Sequence, residues 1–198
     1  MQASLVSEPA RNAEFILRDE YKEMLRAVAR RSIEHGLRFG RPLTVDPQEY
    51  PPPLAELKAV FVTLRNGADL RGCLGTLEAA QPLVSAGAKF AFAAAFNDPR
   101  FGSVTEAELI CLRIQISVLS EPEPMQFNSE SELIEQLRPG IDGLVLRHWW
   151  HRGTLLPSVW EEIPERREFV AKLKQKAGLS PDYWSRRMEV KRYTVICF

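Results

Sequence analysis

Arg71 and Cys73 stand two residues apart in Leu70-Arg71-Gly72-Cys73-Leu74-Gly75-Thr76. A cation beside a thiol favours the thiolate, the nucleophilic form of cysteine. Alternate side chains of an extended strand share a face, so Arg71 and Cys73 point one way and Leu70, Gly72 and Leu74 the other. Gly72 and Gly75 leave room for another backbone or a ligand to approach closely. Downstream, Asn97-Asp98-Pro99-Arg100-Phe101 presents a carboxylate and a guanidinium from one turn, because the residue before a proline is pushed out of the helical region. That turn has two readings. It is a latch in which Asp98 and Arg100 cap a helix and pair with each other or with Arg71, or it is a ligand-binding pair.

These residue types support three classes of function. In an enzyme, Cys73 is a nucleophile or covalent carrier activated by Arg71, and glycine N–H groups stabilise an oxyanion. The missing part is a base, since no histidine is near Cys73 in sequence and only His148 or His151 is left to approach in space. In a binding or adaptor protein, Arg71, Asp98 and Arg100 form a pocket for an anionic small molecule or peptide. Cys73 is then a small buried apolar residue. The Trp149-Trp150 pair meets a partner. Nucleic-acid binding is the third class, and a formal net charge of zero with a pI near 6.9 opposes it. His148 and His151, three apart with no third ligand nearby, are a weak metal pattern, and no cofactor is implied.

The elements that must position these groups follow from periodicity and punctuation. Asn66-Gly67 between two extended runs predicts a hairpin over 58–76. Apolar residues at helical spacing predict a long helix over 12–38, after a loose tail at 1–11. Five prolines make 41–57 an extended connector. Pro82 opens a second helix, 83–96, apolar on nearly every face and therefore buried on most sides. Its single charge, Lys89, extends to water. Thr105 caps a short turn. The alternation in 112–118 predicts a half-buried strand whose polar face is Arg113, Gln115 and Ser117, with Cys111 a structural residue at its start. Residues 121–124 read as a loop and 129–137 as a helix with a Ser129/Glu132 capping box. A second hairpin joins 143–147 to 154–156, with its tip at 148–153. A helical turn begins at Pro157. A helix runs from Pro164 to Ala177, ended by Lys176 and Gly178. The last strand, 188–197, slips its alternation at Lys191-Arg192, as a bulge would make it do.

The chain has 198 residues, 45% of them apolar and 26% charged, an ordinary globular balance that needs no disulfide or metal to hold a core. Its three cysteines, 73, 111 and 197, are widely spaced and imply neither a disulfide framework nor a zinc site. The first residues do not read as a secretory signal, and no apolar run is long enough to cross a membrane, so a cytoplasmic protein is expected.

The segments 70–76 and 97–101, with Leu155-Leu156-Pro157-Ser158-Val159 and Lys176-Ala177-Gly178-Leu179, resemble the AMMECR-type domain family, the AmmeMemoRadiSam system protein A. The resemblance runs from about Arg18 to the end. It implies one domain over 12–198 with an α+β fold: mostly antiparallel sheet flanked by helices, with a larger and a smaller lobe and a cleft between them. By similarity Arg71, Gly72, Cys73, Gly75, Thr76, Asp98 and Arg100 lie near that cleft. The resemblance also implies Memo-like and radical S-adenosylmethionine partners. Leu74 stands where isoleucine is common, and Ser158 where glutamine is common.

Overall fold

The structure is a computed structural model that describes residues 17–198. The expected tail and the start of the first predicted helix lie outside these residues. Helix α1 spans Asp19–Phe39, so Leu17 and Arg18 are not helical. Asp19 and Glu20 sit in its first turn, where the helix dipole favours acidic groups. Gly40 ends it at φ 66°, with its N–H on the Gly36 carbonyl.

The proline-rich segment is less extended than its composition predicts. Pro47–Glu49 forms a 3-10 turn and Pro52–Ala55 a helical turn, α2. Proline is tolerated at the first turn of a helix, where its missing N–H has no partner to lose. Strands β1 (Val60–Asn66) and β2 (Asp69–Thr76) form the predicted hairpin, with Gly67 in the left-handed region. Helix α3 spans Leu83–Phe96, and Lys89 is exposed on it. The turn α4 (Glu106–Leu109) carries a complete capping box from Thr105 and leads into β3 (Leu112–Leu119). Cys111, just before β3, is exposed rather than packed.

The expected loop at 121–124 contains a two-residue strand, β4 (Glu123–Pro124), paired with β7 (Glu189–Tyr193). Helix α5 is Glu130–Glu135. Ser129 accepts from the N–H of Glu132, but the Glu132 carboxylate reaches back to Asn128 rather than to Ser129. Strands β5 (Gly143–His148) and β6 (His151–Leu155) pair up to His148 opposite His151, so the hairpin tip is only Trp149-Trp150. After a 3-10 turn at Pro157–Glu161, α6 spans Arg166–Lys176. Gly178 at φ 79° and the Leu179 N–H on the Lys174 carbonyl close its C-terminus. The last predicted strand is two strands. β7 ends at Tyr193 and β8 is Val195–Cys197. The chain passes between sheets at Thr194, while Lys191 and Arg192 keep regular pairing.

All pairing is antiparallel. One sheet has the order β2-β1-β3-β8 and the other β4-β7-β5-β6. Each has its own core. Helices α1 and α3 cover one face of the first sheet through Leu25, Ile33, Leu83, Val60, Val62 and Leu64. Phe169, Leu173, Leu144, Leu146 and Trp160 fill the second. A third cluster, Ala59, Leu119, Val145 and Tyr193, joins the two sheets at a seam, with Phe61, Leu77, Leu156 and Val195 packed against it. Among the described residues no helix is long and apolar enough to cross a membrane.

Candidate functional site

The face of the first sheet turned away from α1 and α3 is the candidate site. Register places Cys73, Thr63 and Gln115 in one row across β2, β1 and β3. Ser117 pairs with Cys197 in β8. The Thr63 hydroxyl donates to Cys73 Sγ at 3.3 Å. Gln115 Nε2 and Ser117 Oγ donate to Cys197 Sγ at 2.7 and 3.5 Å. Cys73 and Cys197 are three strand spacings and two residues of register apart, more than about 14 Å, too far for a disulfide.

Arg71 does not act on Cys73 in the expected way. The register skips it, with Leu64 opposite Gly72 and Arg65 opposite Leu70. A bulge re-aims its residue, and the Arg71 guanidinium goes to Glu108, with Nε 2.6 Å and Nη2 3.3 Å from the carboxylate, and to the Ser103 carbonyl. The side chain is 16% exposed, and Nη1 is buried with no partner. Glu108 serves twice, because the same carboxylate accepts from Thr105 N at 2.8 Å.

Asp98 and Arg100 close on the open edge of β2. Asp98 is 4% exposed. Its Oδ2 accepts from the Cys73 N–H at 2.8 Å and from Arg100 Nη2 at 2.7 Å, and its Oδ1 from Arg100 N and Nε. Arg100 Nη2 in turn donates to the Cys73 carbonyl at 3.3 Å. Together the two side chains satisfy the N–H and C=O of Cys73, two of the backbone groups that an edge strand leaves unpaired. The turn is a latch, and it fastens on the backbone of Cys73.

The glycines admit backbone. A Cβ on Gly72 would meet the Ala94 carbonyl oxygen of α3 at 2.1 Å, and one on Gly75 would meet the Val60 carbonyl oxygen and Phe61. Thr76 accepts from Glu78 N and lines a small cavity with Lys89 and Phe90 of α3. Of the residues singled out from the sequence, Cys73, Asp98 and Arg100 are brought together. Arg71 is drawn off to Glu108, and Gly72 and Thr76 face the helix.

A cavity of about 420 Å³ opens between the sheets beside this face. Gln115, Ser117, Val195 and Cys197 line it from one side, and Leu156, Pro157, Ser158, Trp160 and Glu161 from the other. Period-2 patterning marks Gln115 and Ser117 as a polar face, but nothing local marks Cys197 as their neighbour. His148 Nε2 shares a hydrogen bond with the Tyr183 hydroxyl, and His151 Nδ1 lies 2.9 Å from the Ala177 carbonyl. Both are held within the second sheet and its neighbours. Among the described residues no three histidine, cysteine or carboxylate groups are arranged to hold a metal.

The two paired carboxyls make the latch acid-sensitive. The Arg71 hydrogen bond, helped by Thr105, holds Glu108 down from the ordinary 4.5 to about 2. The Arg100 hydrogen bond, helped by the Cys73 N–H, holds Asp98 well below the usual carboxylate range against the opposing effect of burial. Both bind protons more weakly when folded. Their stabilisation is complete above about pH 5 and is lost as pH falls through the folded values. Thermal melts between pH 6 and pH 2 (about one unit apart) are expected to show a falling Tm, with a shallower fall in Glu108→Gln. An unchanged slope in that variant would place the acid sensitivity elsewhere.

The AMMECR1 family model matches residues 26–198. A Thermococcus onnurineus protein is 41% identical over 194 residues, covering 92% of this chain and 91% of its own length. A Methanothermobacter thermautotrophicus protein is 39% identical over 166 residues, covering 83% and 85%. The crystal structure titled uncharacterized protein PH0010 from Pyrococcus horikoshii superposes with a TM-score of 0.80 at 36% identity. It covers 91% of this chain and 92% of that one.

Proposed function

The chain belongs to the AMMECR1 family, a family of uncharacterised function, and from that premise we propose a non-catalytic binding component that takes its ligand on the open face of the first sheet. The observation that carries this reading is the cavity between the sheets, edged by Gln115, Ser117 and Ser158. These supply amide and hydroxyl partners, while Leu156, Pro157, Trp160 and Val195 supply apolar walls. Apart from the Cys197 thiol, Glu161 is the one ionisable group in that lining. The fitting ligand is therefore a small neutral molecule or peptide segment with an amide or hydroxyl group. The Arg71–Thr76 and Asp98–Arg100 segments shape the face. They do not supply an anion pocket, because both arginines already face carboxylates.

Soaking crystals with a library of small amides and alcohols tests this reading. Density in the cavity against Gln115 and Ser158, lost in Gln115→Ala, is expected. A cavity that stays empty while fragments bind elsewhere would contradict it.

Memo-like and radical S-adenosylmethionine proteins are the partners to test first, in the cytoplasm. Support for a docking tip comes from Trp149 and Trp150, 69% and 84% exposed. Trp149 holds φ 55°, a conformation that a bulky residue rarely adopts.

A second reading keeps Cys73 as a nucleophile. It rests on the Thr63 hydroxyl at its sulfur. Cys73→Ala with full activity in cells would remove it.

A further inference from the structure

We propose that the seam between the two sheets holds an oxyanion site built by Arg147, Arg152 and Lys191, sized for one phosphoryl group of a phosphorylated small molecule. The proposal is independent of the neutral-ligand cavity above.

The first observation is register. Arg147 on β5 lies directly opposite Arg152 on β6. Lys191 on β7 lies opposite Val145, which places it diagonal to Arg147. Cross-strand neighbours of like charge destabilise a sheet, so folding alone gives no reason to set three cations side by side.

The second observation is the lack of neutralisation. Among the described residues Arg147 and Lys191 make no ion pair, and the carboxylate nearest Arg152 is Glu78 at 3.8 Å, with both side chains largely exposed. Glu189 stands opposite Arg147 on its other flank without forming an ion pair. By contrast, the half-buried Arg71 lies 2.6 Å from Glu108 and the buried Lys174 lies 2.5 Å from Glu130, while Arg147 and Arg152 are exposed and Lys191 is half-buried.

The third observation is a container. The three cations line a cavity of about 110 Å³ with Ser120 and no carboxylate, floored by Ala59, Leu119, Val145 and Tyr193. That floor is the buried seam cluster, and an apolar floor strengthens the attraction of the cations for a bound anion. Three positive charges lining one cavity match a phosphoryl group carrying about two negative charges better than a carboxylate carrying one. Two arginine forks match its oxygens in bidentate geometry.

Inorganic phosphate, with acetate as the carboxylate arm, is titrated into the full chain at constant ionic strength, read by melting temperature and by amide NMR. The expected result is a saturable rise in Tm with phosphate, shifts centred on Arg147 and Lys191, and at least tenfold weaker binding in Arg147→Gln and Lys191→Gln. Acetate should bind more weakly. Without phosphate, Arg147→Gln should melt within about 2 °C of the unaltered protein, because relief of the repulsion with Arg152 is offset by loss of the cross-strand neighbour of Glu189. The proposal is overturned by a non-saturable response, by equal binding in the variants, or by acetate binding as tightly as phosphate.

Discussion

Gly72→Ala is expected to destabilise the protein by about 3 kcal/mol, the upper end of the range for an overpacked core, and to lower Tm by about 6–12 °C. The added methyl would sit 2.1 Å from the Ala94 carbonyl oxygen. That atom belongs to the backbone of α3, so no side chain can swing aside. Relief requires moving a helix whose Leu83, Val84, Ala88 and Ala91 are buried in the core. The control is Gly102→Ala, whose Cβ meets nothing within 4 Å and should change stability by less than about 0.5 kcal/mol. Urea unfolding of both variants checks the pair. Equal stabilities would mean that Gly72 is kept for a ligand rather than for the helix.

Asp98→Ala is expected to cost about 2 kcal/mol, because it strands the Cys73 and Arg100 N–H groups that now donate to a buried carboxylate. Arg100→Ala should cost less than about 1 kcal/mol, since that side chain is 54% exposed and its ion pair is screened by water. The asymmetry separates a latch from a ligand site. Binding residues are commonly neutral or costly to stability, so their removal tends to leave the fold intact or firmer. A stable Asp98→Ala with a destabilised Arg100→Ala would reverse the assignment. Opening the edge of β2 should also raise aggregation in Asp98→Ala, which light scattering would register.

Local chemistry made much of this fold legible. Asn66-Gly67 placed the first hairpin, although the turn is Gly67-Ala68 and Asn66 ends β1, with only Gly67 at positive φ, and Pro82 placed the start of α3 because proline suits a first helical turn. Both features act over a few residues. What the sequence hid depends on contacts between distant segments. The bulge at Arg71 turns a guanidinium from Cys73 to Glu108, and spacing within 70–76 carries no sign of it. Glu108 was readable as part of a cap, but its second bond belongs to a strand 37 residues away. The alternation placed a slip at Lys191-Arg192, where pairing is regular, and carried no sign of the break at Thr194, because a strand that changes sheets keeps the same residue types on both sides. Cys197 became a site residue only when β8 paired with β3 beside Gln115. The two prolines of 121–124 concealed β4, an edge strand in which proline is tolerated.

The most direct test of the central claim, that the ligand sits in the cavity edged by Gln115, Ser117 and Cys197 and that Cys73 is not a working group, is alkylation of the native protein with the rate resolved at each cysteine by mass spectrometry. Cys111 and Cys197 are exposed and Cys73 is half-buried, with its backbone clamped at both N–H and C=O. The account predicts that Cys111 and Cys197 react first and that Cys73 lags until the protein unfolds. Fast, selective labelling of Cys73 ahead of both would contradict it and return the nucleophile to the centre of the site.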